Sequence, residues 1–250
     1  MMTLREFVRS TPFFIIAHRG ASGEAPENTL ASVRIALEGG AKMVEVDLQV
    51  SHDDQLMVFH DNILGRTTNG HGYIKNHDAS ELRSLDAGAW FGPQFAGEPI
   101  PFLHEILDLI KDRAYLNLEI KPLQEDPNAL QTIAKAIGII KERGLQAYTV
   151  FASFDHHALA AVKEIDPTLH TCALNVPGDT RLPSEILTAC HADAFGCSIH
   201  ELTHKRADDC AEHQIPWGVY TVNTVEELHK ALAYGVSAVV SNHPNALASP

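Results

Sequence analysis

The stretch MVEVDLQV, residues 43–50, alternates strictly, with Val44, Val46, Leu48 and Val50 on one side of an extended chain and Met43, Glu45, Asp47 and Gln49 on the other. The first set asks for a cover of helices. The second sends two carboxylates onto one face of a buried strand, which is costly unless charge or hydrogen bonds meet them. Residues 115–122, YLNLEIKP, repeat the arrangement: Leu116, Leu118 and Ile120 face outward, and Asn117, Glu119 and Lys121 face inward. Upstream, FFIIA (13–17) is a continuous apolar run, as in a strand covered on both sides. PENTLASVRIALEGG (26–40) then reads as a helix capped by Asn28 or Thr29 and stopped by Gly39 and Gly40. Strand, helix, strand is the parallel unit.

The rhythm continues downstream. Strands are expected at 148–153, 168–176, 192–198, 216–223 and 236–241, with helices at about 128–143, 156–165, 183–191, 204–213 and 225–234. If QLMVFH (55–60) extends the second strand or pairs with it as a hairpin, eight main strands remain. That count, in 250 residues, predicts a (β/α)8 TIM barrel of the α/β class, spanning 1–250 as a single domain. The competing fold is an open doubly wound sheet, but the first turn, HRGASGEAPENT (18–29), lacks the GxGxxG spacing of a dinucleotide fold. Residues 61–100 are rich in glycine and turn formers, with one short helical pattern at 79–85. They read as a small insertion after the second βα unit, on the C-terminal face.

The composition is that of an ordinary globular protein, 45% hydrophobic and 20% charged. A net charge of −13, with no basic run longer than Lys205–Arg206, argues against nucleic acid and against an encounter steered to anionic membranes. The N-terminal apolar run of Phe13 to Ala17 is too short to span a membrane, so no stable membrane insertion is expected. Cys172, Cys190, Cys197 and Cys210 have no CxxC or metal-ligand spacing and read as reduced structural thiols, which points to a cytoplasmic location. Nothing in the chain fixes its oligomeric state.

In a barrel, Glu45, Asp47 and Glu119 converge at the C-terminal ends of adjacent strands. Three carboxylates there form an oxygen-rich site for one hard divalent cation, Mg2+ or Ca2+. The alternative is a buried salt-bridge cluster of these three with Arg19 and Lys121. His18 and Arg19 follow the first strand and His60 follows QLMVF, again at C-terminal strand ends, where barrel chemistry sits. Two imidazoles can share general base and general acid work near neutral pH, and a guanidinium suits phosphate oxygens. Together they describe hydrolysis of an anionic ester.

Several stretches then carry a family resemblance: HRGASGEAPENTLAS (18–32), VEVDLQVSHDDQLMVFHDNILGRTT (44–68), NGHGYI (69–74), IPFLHEIL (100–107), LNLEIK (116–121), TVNT (221–224) and GVSAVVSNHP (235–244). In order and spacing the chain resembles the glycerophosphodiester phosphodiesterase family. The resemblance implies metal-dependent cleavage of a small-molecule glycerophosphodiester to sn-glycerol 3-phosphate and an alcohol on a (β/α)8 barrel. It puts His18 and His60 on the catalytic histidines, Arg19 on the phosphate-contacting arginine, Lys121 on the lysine beside the phosphate, and Glu45, Asp47 and Glu119 on the metal ligands. The chain departs from the family's habits at Tyr220, often Trp, at Asn242, often Asp, and at Phe102 in IPFL. None of the three is expected to touch the metal or histidine set. Trp217 reads as core, while Trp90 and Phe91 read either as pocket lining or as packing for the insertion. Rival readings are lysophospholipase D-type cleavage of lysophospholipids, a metal-dependent isomerase or aldolase, and a phosphate-binding barrel without turnover.

Overall fold

A computed structural model describes residues 1–121 and 128–247. In chain order its elements are α1 (Leu4–Ser10), β1 (Phe14–His18), α2 (Leu30–Glu38), β2 (Met43–Val50), β3 (Leu56–Val58), α3 (Ala79–Arg83), α4 (Leu103–Ile110) and β4 (Tyr115–Ile120). Then come α5 (Ala129–Glu142), β5 (Thr149–Ser153), α6 (His156–Ile165), β6 (His170–Leu174), α7 (Pro183–Cys190), β7 (Ala194–Ser198), α8 (His204–Glu212), β8 (Trp217–Tyr220), α9 (Val225–Ala233), β9 (Ala238–Ser241) and α10 (Pro244–Leu247). All strands but β3 pair in parallel in the order β1-β2-β4-β5-β6-β7-β8-β9, and β9 pairs back onto β1, closing an eight-stranded barrel. The ninth strand, β3, is the expected hairpin partner, antiparallel to β2. Closure rules out the open sheet.

The alternation read from residues 43–50 and 115–120 governs the packing. Val44, Val46, Leu116 and Leu118 are buried in the layer between strands and helices. The inward side chains form tiers. Ile16, Met43 and Tyr115 share the lowest register, His18, Glu45 and Asn117 the next, and Asp47, Glu119 and Ala152 the one above.

The lowest tier is closed from below by α1, an element the sequence reading did not anticipate. Leu4 and Phe7 of this helix pack against Ile16, Met43, Tyr115 and Ala238, and the Phe7 and Tyr115 rings stack with centroids 4.5 Å apart. Thr3 and Glu6 form the capping box that starts it.

Residues 61–100 leave the barrel between β3 and α4 and hold their own small core of Leu64, Ile74, Leu82 and Ile100 against Met57. The helix here, α3, stops at Arg83, short of the expected Leu85. Helix α4 buries Leu103, Ile106, Leu107 and Ile110, the i, i+3, i+4, i+7 spacing of a core-facing helix. Because α4 is the helix of the second unit, the insertion occupies the strand-to-helix loop of that unit, ahead of its helix. Trp90 donates from Nε1 to the Ala87 carbonyl at 2.9 Å and sits edge-on to Phe91. Neither ring lines the central cavity; Phe91 sits between Trp90 and Phe95 within the insertion, and Trp90 is exposed. Trp217 is core, buried among the β7–β9 side chains with Nε1 donating to the Gly235 carbonyl.

Candidate active site

At the C-terminal mouth a cavity of about 760 Å³ is lined by His18, Arg19, Glu45, His60, Glu119 and Lys121. Six of the seven residues singled out in the sequence therefore face one space. The seventh, Asp47, is fully buried beside it, behind Lys121 and Arg19.

The HRG motif has a backbone reason. Arg19 (φ +55) and Gly20 (φ +79) both adopt left-handed conformations, and a Cβ on Gly20 would lie 2.5 Å from Ser32 of α2. This turn aims the Arg19 backbone N–H at Glu45 Oε2, 2.8 Å away. Of the two capping candidates, Thr29 caps α2 through Ser32. Asn28 instead clasps Asp47, donating from Nδ2 to Oδ2 at 2.7 Å and accepting from the Asp47 backbone N–H at 3.2 Å.

The carboxylates are not equivalent. Lys121 pairs with Asp47 and reaches Glu119 at 2.5 Å, while Arg19 Nε lies 3.2 Å from Asp47. Burial opposes ionisation of Asp47, but Lys121 and then Arg19 outweigh it and hold its pKa at about 2. Glu119 is pushed up by burial against the pull of Lys121. Glu45 is raised well above the carboxylate range, first by burial and then by the charges of Asp47 and Glu119. Its Oε1 is buried without a hydrogen-bond partner, and so is Oδ1 of Asn117, the neighbouring inward residue. A salt-bridge cluster therefore accounts for Asp47 and Glu119 but leaves Glu45 unsatisfied.

Ligand oxygens from Glu45, Asp47 and Glu119 all lie within 4.8 Å of one another. An all-oxygen set in which Glu45 Oε1 is orphaned, with the orphaned Asn117 Oδ1 on the neighbouring strand, fits a hard divalent cation. The charge balance agrees: among the described residues, Glu27, Asp47, Asp61 and Glu119 already engage Arg19, Arg66 and Lys121, so a cation would supply the further positive charge that an anionic ligand needs.

The two histidines have different partners. His18 Nδ1 lies 2.6 Å from Asn242 Oδ1, which also accepts from Ser22 Oγ. An amide oxygen only accepts, so Nδ1 carries the proton and Nε2 keeps its lone pair. Burial, then Arg19, lowers the His18 pKa to about 4. This contact corrects the expectation that Asn242 stands clear of the histidine set; the end of β9 adjoins β1, which brings the two together. His60 Nδ1 lies 2.6 Å from a carboxylate oxygen of Asp61. Its pKa is also lowered, by burial and then Lys121, with Asp61 acting in the opposite sense.

Of the other departures, Tyr220 lines the cavity edge-on to Phe154, whereas Phe102 stacks on His104 away from it. Asn28, Glu27, Asp61, Arg66 and Asn242 escaped the sequence reading as site residues. The signals were the Asp directly after His60 and the Glu-Asn pair inside PENT.

Among the described residues, no helix is long and apolar enough to cross a membrane. The family model for the glycerophosphoryl diester phosphodiesterase family matches residues 18–246. A glycerophosphodiester phosphodiesterase from Caldanaerobacter subterraneus subsp. tengcongensis is 35% identical over 240 residues, covering 93% of this chain and 95% of the relative. One from Bacillus subtilis is 30% identical over 245 residues, covering 92% of this chain and 83% of the relative. The solved structure of an Oleispira antarctica phosphodiesterase in complex with the product sn-glycerol-3-phosphate superposes with a TM-score of 0.90 at 32% identity, covering 97% of this chain and 98% of that one. With a match that spans nearly the whole barrel and includes every residue of the mouth, the chain belongs to the glycerophosphoryl diester phosphodiesterase family.

Proposed function

We propose that this protein hydrolyses glycerophosphodiesters to sn-glycerol 3-phosphate and an alcohol. The observation that carries the reading is the convergence of two histidines, three carboxylates, Arg19 and Lys121 on one cavity or its wall. Family membership and the product held by the Oleispira antarctica neighbour support it. The catalytic unit is read as one domain over 1–250, with the insertion of residues 61–100 at its mouth; residues 122–127 and 248–250 of that span lie outside the described residues.

A divalent cation, Mg2+ or Ca2+, held by Glu45, Asp47 and Glu119 would neutralise charge on the phosphoryl group and lower the pKa of an attacking hydroxyl. His18, neutral at pH 7 with Nε2 unprotonated, takes the proton from that hydroxyl. His60 gives a proton to the departing alkoxide; burial and Lys121 make its charged form a strong acid, and the Asp61 carboxylate opposes them by favouring that form. Arg19 and Lys121 bind the phosphate oxygens, one as a fork and the other as a point charge. Four unpaired cysteines, three of them buried, support a reducing, cytoplasmic setting.

Part of the cavity wall is apolar, formed by Ile63, Leu64, Phe154, Leu174 and Tyr220. That wall favours, as a second reading, a lysophospholipid whose acyl chain lies along it. Release of glycerol 3-phosphate from glycerophosphocholine, glycerophosphoethanolamine and glycerophosphoglycerol, assayed beside choline release from lysophosphatidylcholine, separates the two. Turnover of the water-soluble diesters with little of the lysolipid is expected. No turnover of any phosphodiester with Mg2+ or Ca2+ present would overturn both.

A further inference from the structure

The insertion contributes one side chain that none of the roles above uses. Arg66 lines the cavity and bridges two carboxylates. Its Nε and Nη2 donate to Asp61 at 2.6 and 3.1 Å, and its Nη1 and Nη2 donate to Glu27 at 2.8 and 2.7 Å. Each carboxylate leads inward. Asp61 holds His60 Nδ1 at 2.6 Å, and Glu27 Oε1 accepts from Arg19 Nη1 at 2.8 Å. One guanidinium thus forks onto two carboxylates, and each carboxylate orients a different group of the site.

We infer that Arg66 is a positioning residue that sets the aim of His60 through Asp61 and of Arg19 through Glu27, so that the inserted segment orients at once the group that protonates the leaving alcohol and the group that binds the phosphate. The inference rests on the proposed roles of His60 as acid and Arg19 as phosphate ligand.

Stability is not a sufficient reason for the arrangement. The Arg66 side chain is 47% exposed, and exposed ion pairs contribute little to folding. What a bidentate pair on each side supplies is direction. Both imidazole and guanidinium sit on flexible bonds, and a misplacement of about 1 Å can cost on the order of 10²-fold in rate. A lysine cannot replace Arg66, because an ammonium is a point donor with no fork to match two carboxylates.

The test compares two glycerophosphodiesters, one with choline and one with p-nitrophenol as leaving group. Nitrophenolate departs without protonation, so loss of acid catalysis shows on the choline diester alone. Asp61→Asn is expected to lower kcat on glycerophosphocholine by roughly 10²-fold and to leave the nitrophenyl diester nearly unaffected. Glu27→Gln is expected to raise KM on both substrates with kcat largely kept. Arg66→Ala and Arg66→Lys should each show both signatures, and adding Arg66→Ala should give Asp61→Asn only the KM rise that it lacks and Glu27→Gln only the kcat loss on glycerophosphocholine that it lacks. Thermal melting of each variant confirms that it is folded.

Wild-type kinetics on either diester from folded Arg66→Ala, or only one of the two signatures, would overturn the shared role. His60→Ala serves as the control for the underlying reading. If it loses the two substrates equally, the acid assignment has failed rather than the inference about Arg66. If His60→Ala spares the nitrophenyl diester while Arg66→Ala changes nothing, the inference alone has failed.

Discussion

The two ends of this barrel are built from the same strands and have opposite characters. On β2 the inner face runs Met43, Glu45, Asp47, and on β4 it runs Tyr115, Asn117, Glu119, so within five residues each strand passes from apolar to carboxylate. At the N-terminal end the inner side chains find apolar partners, with Phe7 of α1 stacked on Tyr115. At the C-terminal end they find one another, and Glu45 and Asn117 keep buried oxygens without hydrogen-bond partners. One end is satisfied and serves stability; the other holds unsatisfied groups together, as a binding site must.

Substitutions at the two ends should therefore separate activity from stability. The largest effect belongs to Glu45. Glu45→Gln is expected to reduce phosphodiester turnover to background while the metal-free protein melts no lower than wild type, because it removes a carboxylate whose ionisation burial and its neighbours already oppose. Differential scanning calorimetry beside the turnover assay checks both halves. A variant that is inactive because it is unfolded would return Glu45 to a structural role.

Next come the histidines. His18→Ala and His60→Ala should each lower kcat by roughly 10²–10⁴ with the cation still bound, since each removes a proton transfer rather than a ligand. Stopped assays with metal content measured on the same samples decide this.

At the other end the signs reverse. Phe7→Ala should cost about 3 kcal/mol of stability, lowering Tm by roughly 6–12 °C, while kcat per folded molecule stays at the wild-type value. Lost turnover in a folded Phe7→Ala protein would show that the two ends are coupled.

The finest effect concerns Asn242. With His18 held at about 4, a base at this position gains activity as pH rises through that value. Asn242→Asp puts a negative charge against Nδ1, favours the imidazolium and should move the acid limb of kcat/KM upward by about 1 to 3 units. An unmoved limb would assign the base to another group.

The barrel was legible because its strands state both faces: Val44, Val46, Leu116 and Leu118 call for helices outside, and the interleaved polar residues have only the interior left. The same alternation brought Glu45, Asp47 and Glu119 together without any contact being known. Helix α1 was not legible, since seven residues with three charges carry little period, and its apolar pair Leu4 and Phe7 acquires meaning only against a barrel mouth. Helix α4 did carry helical spacing in LHEILDLI, but it follows the irregular insertion and breaks the count of units there. The supporting polar residues were the hardest to see. Glu27, Asp61 and Arg66 lie in loops, where no periodicity assigns a face, and Asn242 reaches His18 across 224 positions. The Arg66–Glu27 and Asn242–His18 pairs exist only once the barrel has closed.

The most direct test of the contrast between the two ends is a calorimetric titration of metal-stripped protein with Mg2+ and, separately, Ca2+. Wild type and Phe7→Ala are expected to bind one divalent cation with the same affinity, and Glu45→Gln and Glu119→Gln to bind it far more weakly or not at all. Unchanged binding in both carboxylate variants would contradict the claim that the unsatisfied oxygens of the C-terminal mouth are there to hold a cation.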